Sequence, residues 1–217
     1  MNRKYQYILF DLDGTLTDSG MGIVNSVAYS LQKKGIDVED KEELLKFVGP
    51  PLIESYRRYY GYSMEEAVEM VDIYREYYGT KGLYENSVYE GMEEVLKVLK
   101  ERGKVLVVAT SKPEEYARQI VEHYGLSKYF IYVAGSNMDE TRTKKAEVIA
   151  YALESCNIQN MNEVVMIGDR KHDVLGAKAM GVDSIGVLYG YGSREELEAA
   201  GADRIVESAE DLIRILE

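Results

Sequence analysis

The chain has 217 residues, of which 46% are hydrophobic and 29% are charged, and its formal net charge is -12. This length and apolar content suit one soluble globular domain with a sizeable insertion. The acidic balance argues against binding to nucleic acid or to an anionic membrane, and the single cysteine, Cys156, excludes an internal disulfide and a cysteine-rich metal site.

The sequence contains no segment typical of a membrane or secreted protein. No apolar run approaches the roughly 20 residues of a membrane span. The N-terminus also lacks the basic-then-apolar order of a signal peptide. We therefore expect a cytoplasmic protein, a monomer or small homo-oligomer, without a nucleic-acid or membrane partner.

The first predicted strand ends in two carboxylates. The apolar run Ile8-Leu9-Phe10 is typical of a strand covered on both faces, as in a parallel sheet, and Asp11 and Asp13 follow it. Such sheets bind ligands just beyond the carboxyl ends of their strands. Two acids at this spacing repel each other unless a cation lies between them or one holds a proton. Because Gly14 allows a turn, both carboxylates can reach one centre.

A helical region follows the acidic turn. From about Met21 to Tyr78 the apolar residues recur at helical spacing, and no predicted strand interrupts them. Ser63 and Glu66 have the spacing of a capping box, and Gly49-Pro50-Pro51 breaks the region in its middle. We interpret residues 17–88 as an all-helical insertion that closes over the predicted site as a lid.

From Gly91 the chain alternates helices and strands, which predicts a parallel sheet with right-handed crossovers and helices on both faces. Residues 1–16 and 89–217 therefore form the predicted Rossmann-like α/β core. The later predicted strands are Val105–Ala109, Phe130–Val133, Val164–Ile167, Ser184–Val187 and Ile205–Val206. The predicted helices are Met92–Arg102, Glu114–Tyr124, Lys145–Leu153, Asp173–Met180, a helix capped by Ser193 and Glu196, and Ala209–Leu216.

Three of the predicted strands end in polar residues, and all three ends face one crevice of such a sheet. These residues are Asp11 and Asp13, Thr110 and Ser111, and Asp169 and Asp173. Several carboxylates and a hydroxyl without a nearby histidine describe a hard-cation site, and Mg²⁺ held by carboxylates and a substrate phosphate fits best. The phosphate needs a basic group, for which Lys144 and Lys145, just before a predicted helix, are the candidates.

Four segments, in this order and spacing, resemble the motifs of the haloacid dehalogenase superfamily over nearly the whole chain. They are Asp11-Leu12-Asp13-Gly14-Thr15-Leu16-Thr17-Asp18-Ser19, then Thr110, then Lys145 with Lys144 as its rival, then Gly168-Asp169-Arg170-Lys171-His172-Asp173. The helical insertion resembles the family's small C1-type cap. The subgroup it is most similar to contains phosphoglycolate phosphatases, 5'-nucleotidases, pyrophosphatases and β-phosphoglucomutases.

The resemblance implies a Mg²⁺-dependent phosphatase that hydrolyses small phosphomonoesters through an aspartyl-phosphate. Phosphoglycolate and nucleoside 5'-monophosphates are the favoured substrates, so the implied partner is a small phosphorylated metabolite. Asp11 is the implied nucleophile and Asp13 the implied acid and base. The implied metal ligands are Asp11, Asp13 through its backbone carbonyl, Asp169 and Asp173, and the implied phosphate ligands are Thr110, Ser111 and Lys145.

Substrate choice is the least specified part of this interpretation. Gly49 and Pro50 in the cap, and Lys112 after the second motif, are the candidates for contact with the substrate. A β-phosphoglucomutase-like phosphomutase uses the same motifs and differs in how well the cap excludes water from the aspartyl-phosphate. An inorganic pyrophosphatase and a non-enzymatic binding module are further alternatives.

Overall fold

Six of the eight strands form one parallel sheet in the computed structural model, which describes residues 4–217. The strands are β1 (Tyr7–Phe10), β2 (Thr17–Asp18), β3 (Ser87–Val88), β4 (Val105–Pro113), β5 (Phe130–Ser136), β6 (Val164–Gly168), β7 (Asp183–Val187) and β8 (Arg204–Val206). The sheet has the order β5-β4-β1-β6-β7-β8, and every neighbouring pair is parallel. The predicted α/β class with a parallel sheet is confirmed.

The described chain divides into two compact units. One contains the chain up to Thr17 and then Val88–Glu217, and the other is Asp18–Ser87. The two-stranded sheet of β2 and β3 contains both points at which the chain passes from one unit to the other. The first three residues of the predicted core segment 1–16 lie outside the described residues.

Helices surround the sheet in the first unit and form most of the second. They are α1 (Gly20–Lys33), α2 (Leu52–Tyr60), α3 (Met64–Tyr78), α4 (Met92–Glu101), α5 (Glu114–His123), α6 (Lys145–Ser155), α7 (Lys171–Ala179), α8 (Arg194–Ala200) and α9 (Ala209–Ile215). The capping box of Ser63 and Glu66 begins α3 as predicted, whereas Lys41–Phe47 is a 3-10 helix. None of the helices in residues 4–217 has the length and apolar character needed to cross a membrane.

The position of β1 in the middle of the sheet determines where the site lies. Its last residue, Phe10, is paired with Val108 on β4 and with Ile167 on β6. The segments that follow these three residues therefore emerge side by side at the carboxyl edge. Below them, Leu9 and Val107 are fully buried in an apolar core that the helices of this unit complete. Because the core is close-packed, the edge is a rigid support for polar side chains.

Strand β4 is longer than predicted. The sequence indicated a strand that ends at Ala109, but β4 continues to Pro113, which pairs with Ser136 on β5. The pairing is irregular between Ala109 and Pro113, so the segment bulges. Thr110 and Lys112 therefore belong to an irregular strand end and not to a free loop.

Candidate active site

Asp11 lies immediately beyond β1 and is 6% exposed. Its backbone N–H still donates to the carbonyl oxygen of Ile167, at 2.9 Å, so the strand geometry extends to this residue. Its Oδ1 accepts a hydrogen bond from the Leu12 N–H and lies 2.8 Å from Lys145 Nζ. Burial raises the pKa of Asp11 above its usual value; Lys145 opposes this rise, and the charge of Asp173 adds to it.

Three buried carboxylates meet at the carboxyl edge of the sheet. One oxygen each from Asp11, Asp169 and Asp173 lies within 4.8 Å of the others. Burial, followed by the charges of Asp173 and Asp11, holds the pKa of Asp169 well above its usual range. Within the described part of the chain, Asp169 Oδ1 is buried and has no hydrogen-bond partner. A buried carboxylate oxygen of this kind needs a cation or a proton.

The donor set and spacing suit Mg²⁺. This ion takes oxygen ligands at about 2.0–2.1 Å in an octahedron, so opposite ligands are about 4.2 Å apart. Neighbouring ligands of such an ion are about 2.9 Å apart, so the three carboxylate oxygens, which lie within 4.8 Å of one another, would close up by side-chain movement to bind it. Asp11, Asp169 and Asp173 are therefore the residues that would hold the ion.

Lys145 is the first residue of α6, and the structure distinguishes it from Lys144. Its Nζ lies 2.8 Å from Asp11 Oδ1 and 2.8 Å from Asp173 Oδ1, and it donates to the Ala109 carbonyl oxygen at 3.1 Å. Burial lowers the pKa of Lys145, but the two carboxylates raise it by more, so the ammonium stays charged. Lys144 is the exposed residue before the helix. Only Lys145, of the two, lies in the site.

A second buried ion pair joins Asp13 to Lys112. Lys112 Nζ lies 2.8 Å from Asp13 Oδ1, and the two side chains are 4% and 12% exposed. The side chain of Asp13 thus has a lysine partner of its own, as Asp11 and Asp173 share Lys145. The acid–base role of Asp13, and metal binding through its backbone carbonyl, stay predictions. Four carboxylates and two ammonium groups have a net formal charge of about -2, which one divalent cation neutralises.

The remaining predicted site residues lie either at the end of β4 or in the helical unit. Thr110 is buried at the end of β4, where its Oγ1 accepts a hydrogen bond from the Lys112 N–H at 3.2 Å, and Ser111 is partly exposed beside it. Gly49 and Pro50 belong to the other unit, between the 3-10 helix and α2, and Gly49 has a φ of 100°. Contact of Gly49 and Pro50 with a substrate stays a prediction.

Asp173 is held by the start of its own helix. It lies in the first turn of α7, and its Oδ2 accepts a hydrogen bond from the Arg170 N–H at 3.1 Å. A Cβ on Gly168 would lie 2.1 Å from the Asp173 Cγ, so only glycine allows the strand to approach this carboxylate. The other carboxylate oxygen of Asp173, Oδ1, lies 2.8 Å from Lys145 Nζ. The Gly-Asp-x-x-x-Asp spacing thus brings both acids of the fourth motif to one point.

A segment that no sequence motif indicated contacts Asp169. We call residues 188–192, which follow β7, the 188–192 loop. The Tyr191 N–H donates to Asp169 Oδ2 at 2.7 Å. A Cβ on Gly190 would lie 2.2 Å from the Gly14 carbonyl oxygen, and a Cβ on Gly14 would lie 2.2 Å from Asp169 Oδ2. The available signal was the Gly-Tyr-Gly sequence just after a predicted strand, because such glycines permit close backbone approach.

Comparison with known proteins identifies the family. The family model described as haloacid dehalogenase-like hydrolase matches residues 8–187. A 5'-nucleotidase from Pseudomonas aeruginosa is 47% identical over 196 residues, which cover 90% of this chain and 88% of that protein. The tyrosine-protein kinase PtkA of Mycobacterium tuberculosis is 39% identical over 206 residues, which cover 94% of this chain and 69% of PtkA.

A solved structure agrees with these matches. The crystal structure of a predicted phosphatase from Clostridium acetobutylicum is similar to this chain with a TM-score of 0.95 and 51% sequence identity, covering 97% of each chain. The similarity therefore includes both units of the chain. This chain is an enzyme of the haloacid dehalogenase-like hydrolase family, as the four motifs indicated.

Proposed function

We propose that the enzyme is a Mg²⁺-dependent phosphatase that acts on small phosphomonoesters, with Asp11 as its nucleophile. The observation that carries this proposal is the setting of Asp11: a buried carboxylate at the end of the central strand, 2.8 Å from Lys145 and grouped with Asp169 and Asp173. The names of the Pseudomonas and Clostridium proteins, a 5'-nucleotidase and a predicted phosphatase, support the same reaction.

In the first half-reaction, an oxygen of Asp11 attacks phosphorus, and the bond between phosphorus and the ester oxygen breaks. The product is an aspartyl-phosphate on Asp11 and an alcohol. Lys145, and Lys112 once it is released from Asp13, offset the charge of the phosphoryl oxygens, and the Thr110 hydroxyl donates to one of them. A bound Mg²⁺ would reduce the repulsion between the anionic carboxylate and the anionic phosphate.

Proton transfer is the proposed task of Asp13. Released from Lys112 when the substrate binds, Asp13 takes up a proton and gives it to the departing alkoxide, which becomes the alcohol. The resulting carboxylate then takes a proton from the water that attacks the aspartyl-phosphate, and inorganic phosphate leaves as Asp11 is regenerated. Without substrate, Lys112 Nζ lies 2.8 Å from Asp13 Oδ1, and this ion pair forms again when the inorganic phosphate leaves.

The proposed substrates are nucleoside 5'-monophosphates, with phosphoglycolate as the second candidate. The 47% identical relative, a 5'-nucleotidase, favours the nucleotides. Residues outside the phosphate site distinguish nucleoside 5'-monophosphates from phosphoglycolate, because the motifs position only the phosphate group. We propose that Gly49 and Pro50 of the helical unit contribute to it.

The test is phosphate release from a panel of esters by the purified parent, Asp11→Asn and Asp37→Asn. Asp37 is an exposed residue of the helical unit and provides the matched control substitution. We expect turnover by the parent and the control, and loss of at least about 10³-fold in kcat for Asp11→Asn, because an amide cannot act as the nucleophile. Circular dichroism should be the same for all three.

The other interpretations have their own outcomes in the same panel. Conversion of β-glucose 1-phosphate to glucose 6-phosphate without release of phosphate identifies a mutase. Preference for pyrophosphate over every monoester identifies a pyrophosphatase. No turnover of any ester by a protein that binds Mg²⁺ identifies a binding module, and turnover by Asp11→Asn at the parent rate contradicts the assigned nucleophile.

The role of Asp13 is tested with two kinds of ester. Asp13→Asn should lower the single-turnover phosphorylation rate of alkyl phosphates by about 10²- to 10⁴-fold, the usual contribution of proton transfer. An aryl phosphate, whose leaving group needs little protonation, should lose much less. Equal losses for both esters would mean that Asp13 is not the acid.

A further inference from the structure

The 188–192 loop contacts two separate parts of the active site. At its start, the Leu188 N–H donates to the Val206 carbonyl oxygen at 3.0 Å, which attaches the loop to β8. Near its end, the Tyr191 N–H holds Asp169 Oδ2 at 2.7 Å. Between them, the Tyr189 hydroxyl donates to the Thr15 carbonyl oxygen at 3.1 Å. The same short segment therefore contacts a predicted metal ligand and the turn that follows Asp11.

Close packing makes these contacts rigid. A Cβ on Gly190 would lie 2.4 Å from Asp169 Cβ as well as against the Gly14 carbonyl oxygen, and one on Gly192 would lie 1.8 Å from the Asp169 carbonyl oxygen. The loop backbone therefore packs directly on the Gly14 carbonyl oxygen and on the backbone and side chain of Asp169. Packed segments of this kind transmit small displacements to their neighbours.

Tyr189 has the surroundings of a residue that fixes the turn. Its ring packs against the Tyr89 ring, with centroids 4.9 Å apart and planes at 61°. The Tyr89 N–H donates to the Leu16 carbonyl oxygen at 3.2 Å, so both tyrosines hold the same turn. Burial raises the pKa of Tyr189, so its hydroxyl keeps its proton and donates at neutral pH.

The turn also has internal hydrogen bonds. The Gly14 N–H donates to the Thr17 carbonyl oxygen at 2.8 Å, and the Leu16 N–H donates to the Leu12 carbonyl oxygen at 2.9 Å. These bonds set its shape, but they do not set its position relative to Asp169. That position depends on contacts from outside the turn. Asp169 and Gly190 pack against Gly14, and the Tyr89 N–H and the Tyr189 hydroxyl each donate to a carbonyl oxygen of the turn.

We propose that Tyr189 is a positioning residue, whose hydrogen bond to Thr15 fixes the turn carrying Asp13 against the loop that orients Asp169. Through this connection the spacing of the carboxylates for Mg²⁺ depends on a side chain that touches neither the ion nor the substrate. The inference rests on the proposed function, because both assume that Asp11, Asp169 and Asp173 are ligands of Mg²⁺.

The test compares the parent with Tyr189→Phe, which removes only the hydroxyl. Mg²⁺ binding is measured by titration calorimetry with the metal alone, and hydrogen exchange is measured without metal for the peptide containing Gly14 and Leu16. Loss of one hydrogen bond of ordinary strength should raise the Kd for Mg²⁺ by about 3- to 10-fold. Exchange in the turn should become faster by a similar factor.

Tyr5→Phe is the matched control. The Tyr5 hydroxyl donates to Asp183 Oδ2 at 2.7 Å, and Asp183 begins the strand after which the 188–192 loop follows. The control therefore loses a comparable hydrogen bond at the opposite end of β7. It should lower Tm while leaving both the Kd for Mg²⁺ and exchange in the turn at their parent values.

Each outcome decides the inference. A higher Kd together with faster exchange in Tyr189→Phe, but not in Tyr5→Phe, supports it. A parent that binds Mg²⁺ and a Tyr189→Phe variant with the parent Kd overturn the positioning role and leave the proposed function intact, whether or not exchange in the turn changes. A parent that binds no Mg²⁺ overturns the proposed function and the inference together.

Discussion

Replacement of Lys145 by methionine keeps an unbranched side chain and removes the buried ammonium. In the parent, Nζ lies 2.8 Å from a carboxylate oxygen of Asp11 and of Asp173 and also donates to the Ala109 carbonyl oxygen. Removal of one partner from a buried ion pair costs about 3–5 kcal/mol. Because the carboxylates of the variant can take up a proton, we expect the free energy of unfolding to fall by about 3 kcal/mol, the lower end of this range.

Lys145→Met should lower both Tm and kcat. For a chain of this size, about 3 kcal/mol lowers Tm by roughly 6–12 °C. Loss of one preorganised charge at the phosphate should also lower kcat by about 10²- to 10³-fold. The assays are thermal unfolding without metal and steady-state kinetics at saturating Mg²⁺ on the best ester of the panel.

Lys144→Met provides the control, because the neighbouring lysine is exposed and lies outside the site. Its stability should stay within about 0.5 kcal/mol of the parent, with unchanged kinetics. Equal losses in the two variants would refute the reasoning, since a general effect of charge or of helix α6 would then explain both. Parent-like kcat in Lys145→Met would refute the phosphate-binding role alone.

Three further predictions concern the metal and the ends of the sheet. Gly14→Ala places a Cβ 2.2 Å from Asp169 Oδ2 at a φ of 78°, so it should raise the Kd for Mg²⁺ in calorimetry by at least about 10-fold; an unchanged Kd contradicts the packing argument. Burial and the hydrogen bond to Asp183 raise the pKa of Tyr5 from 10.0 to about 12, so the folded state holds this proton more tightly than the unfolded state. The resulting stability, up to roughly 2–3 kcal/mol, is complete below pH 10 and lost between about pH 10 and 12, and urea titrations of Tyr5→Phe should lack this part of the decline. A chelator should abolish phosphatase activity, Mg²⁺ should restore it and Ca²⁺ should not, because Ca²⁺ takes longer bonds and more ligands; full activity in chelator would show that the acidic cluster holds no essential metal.

The order of the elements was predictable because apolar runs and helix caps are local signals. Val105 to Ala109 and Val164 to Ile167 are continuous apolar runs of the kind that buried parallel strands need, and both are strands. The extension of β4 to Pro113 was not predictable, since it depends on pairing with Ser136 of another strand. The 3-10 geometry of Lys41–Phe47 was not predictable for a different reason, because apolar spacing alone does not separate short helices by type.

The convergence of the carboxylates was predictable, but their partners were not. Parallel strands bring Asp11 and Asp169 to one edge wherever the strands lie adjacent. The choice between two consecutive lysines depends on where α6 begins, because successive helical residues point about 100° apart. The contact from Tyr191 to Asp169 uses a backbone N–H, a group that every residue except proline has, so no residue type indicates it.

The central position of β1 has a consequence during synthesis of the chain. Phe10 is paired with Ile167, 157 residues later, and ribosomes need roughly 8–30 s to add that many residues at about 5–20 per second. Throughout this time the apolar run of β1 has no partner on its β6 side. Charged residues beside an apolar strand suppress association between unfinished chains. We therefore expect Asp11 and Asp13 to keep the nascent protein soluble before they have any chemistry to perform, and Asp11→Asn to lower the soluble yield at 37 °C more than its effect on Tm accounts for.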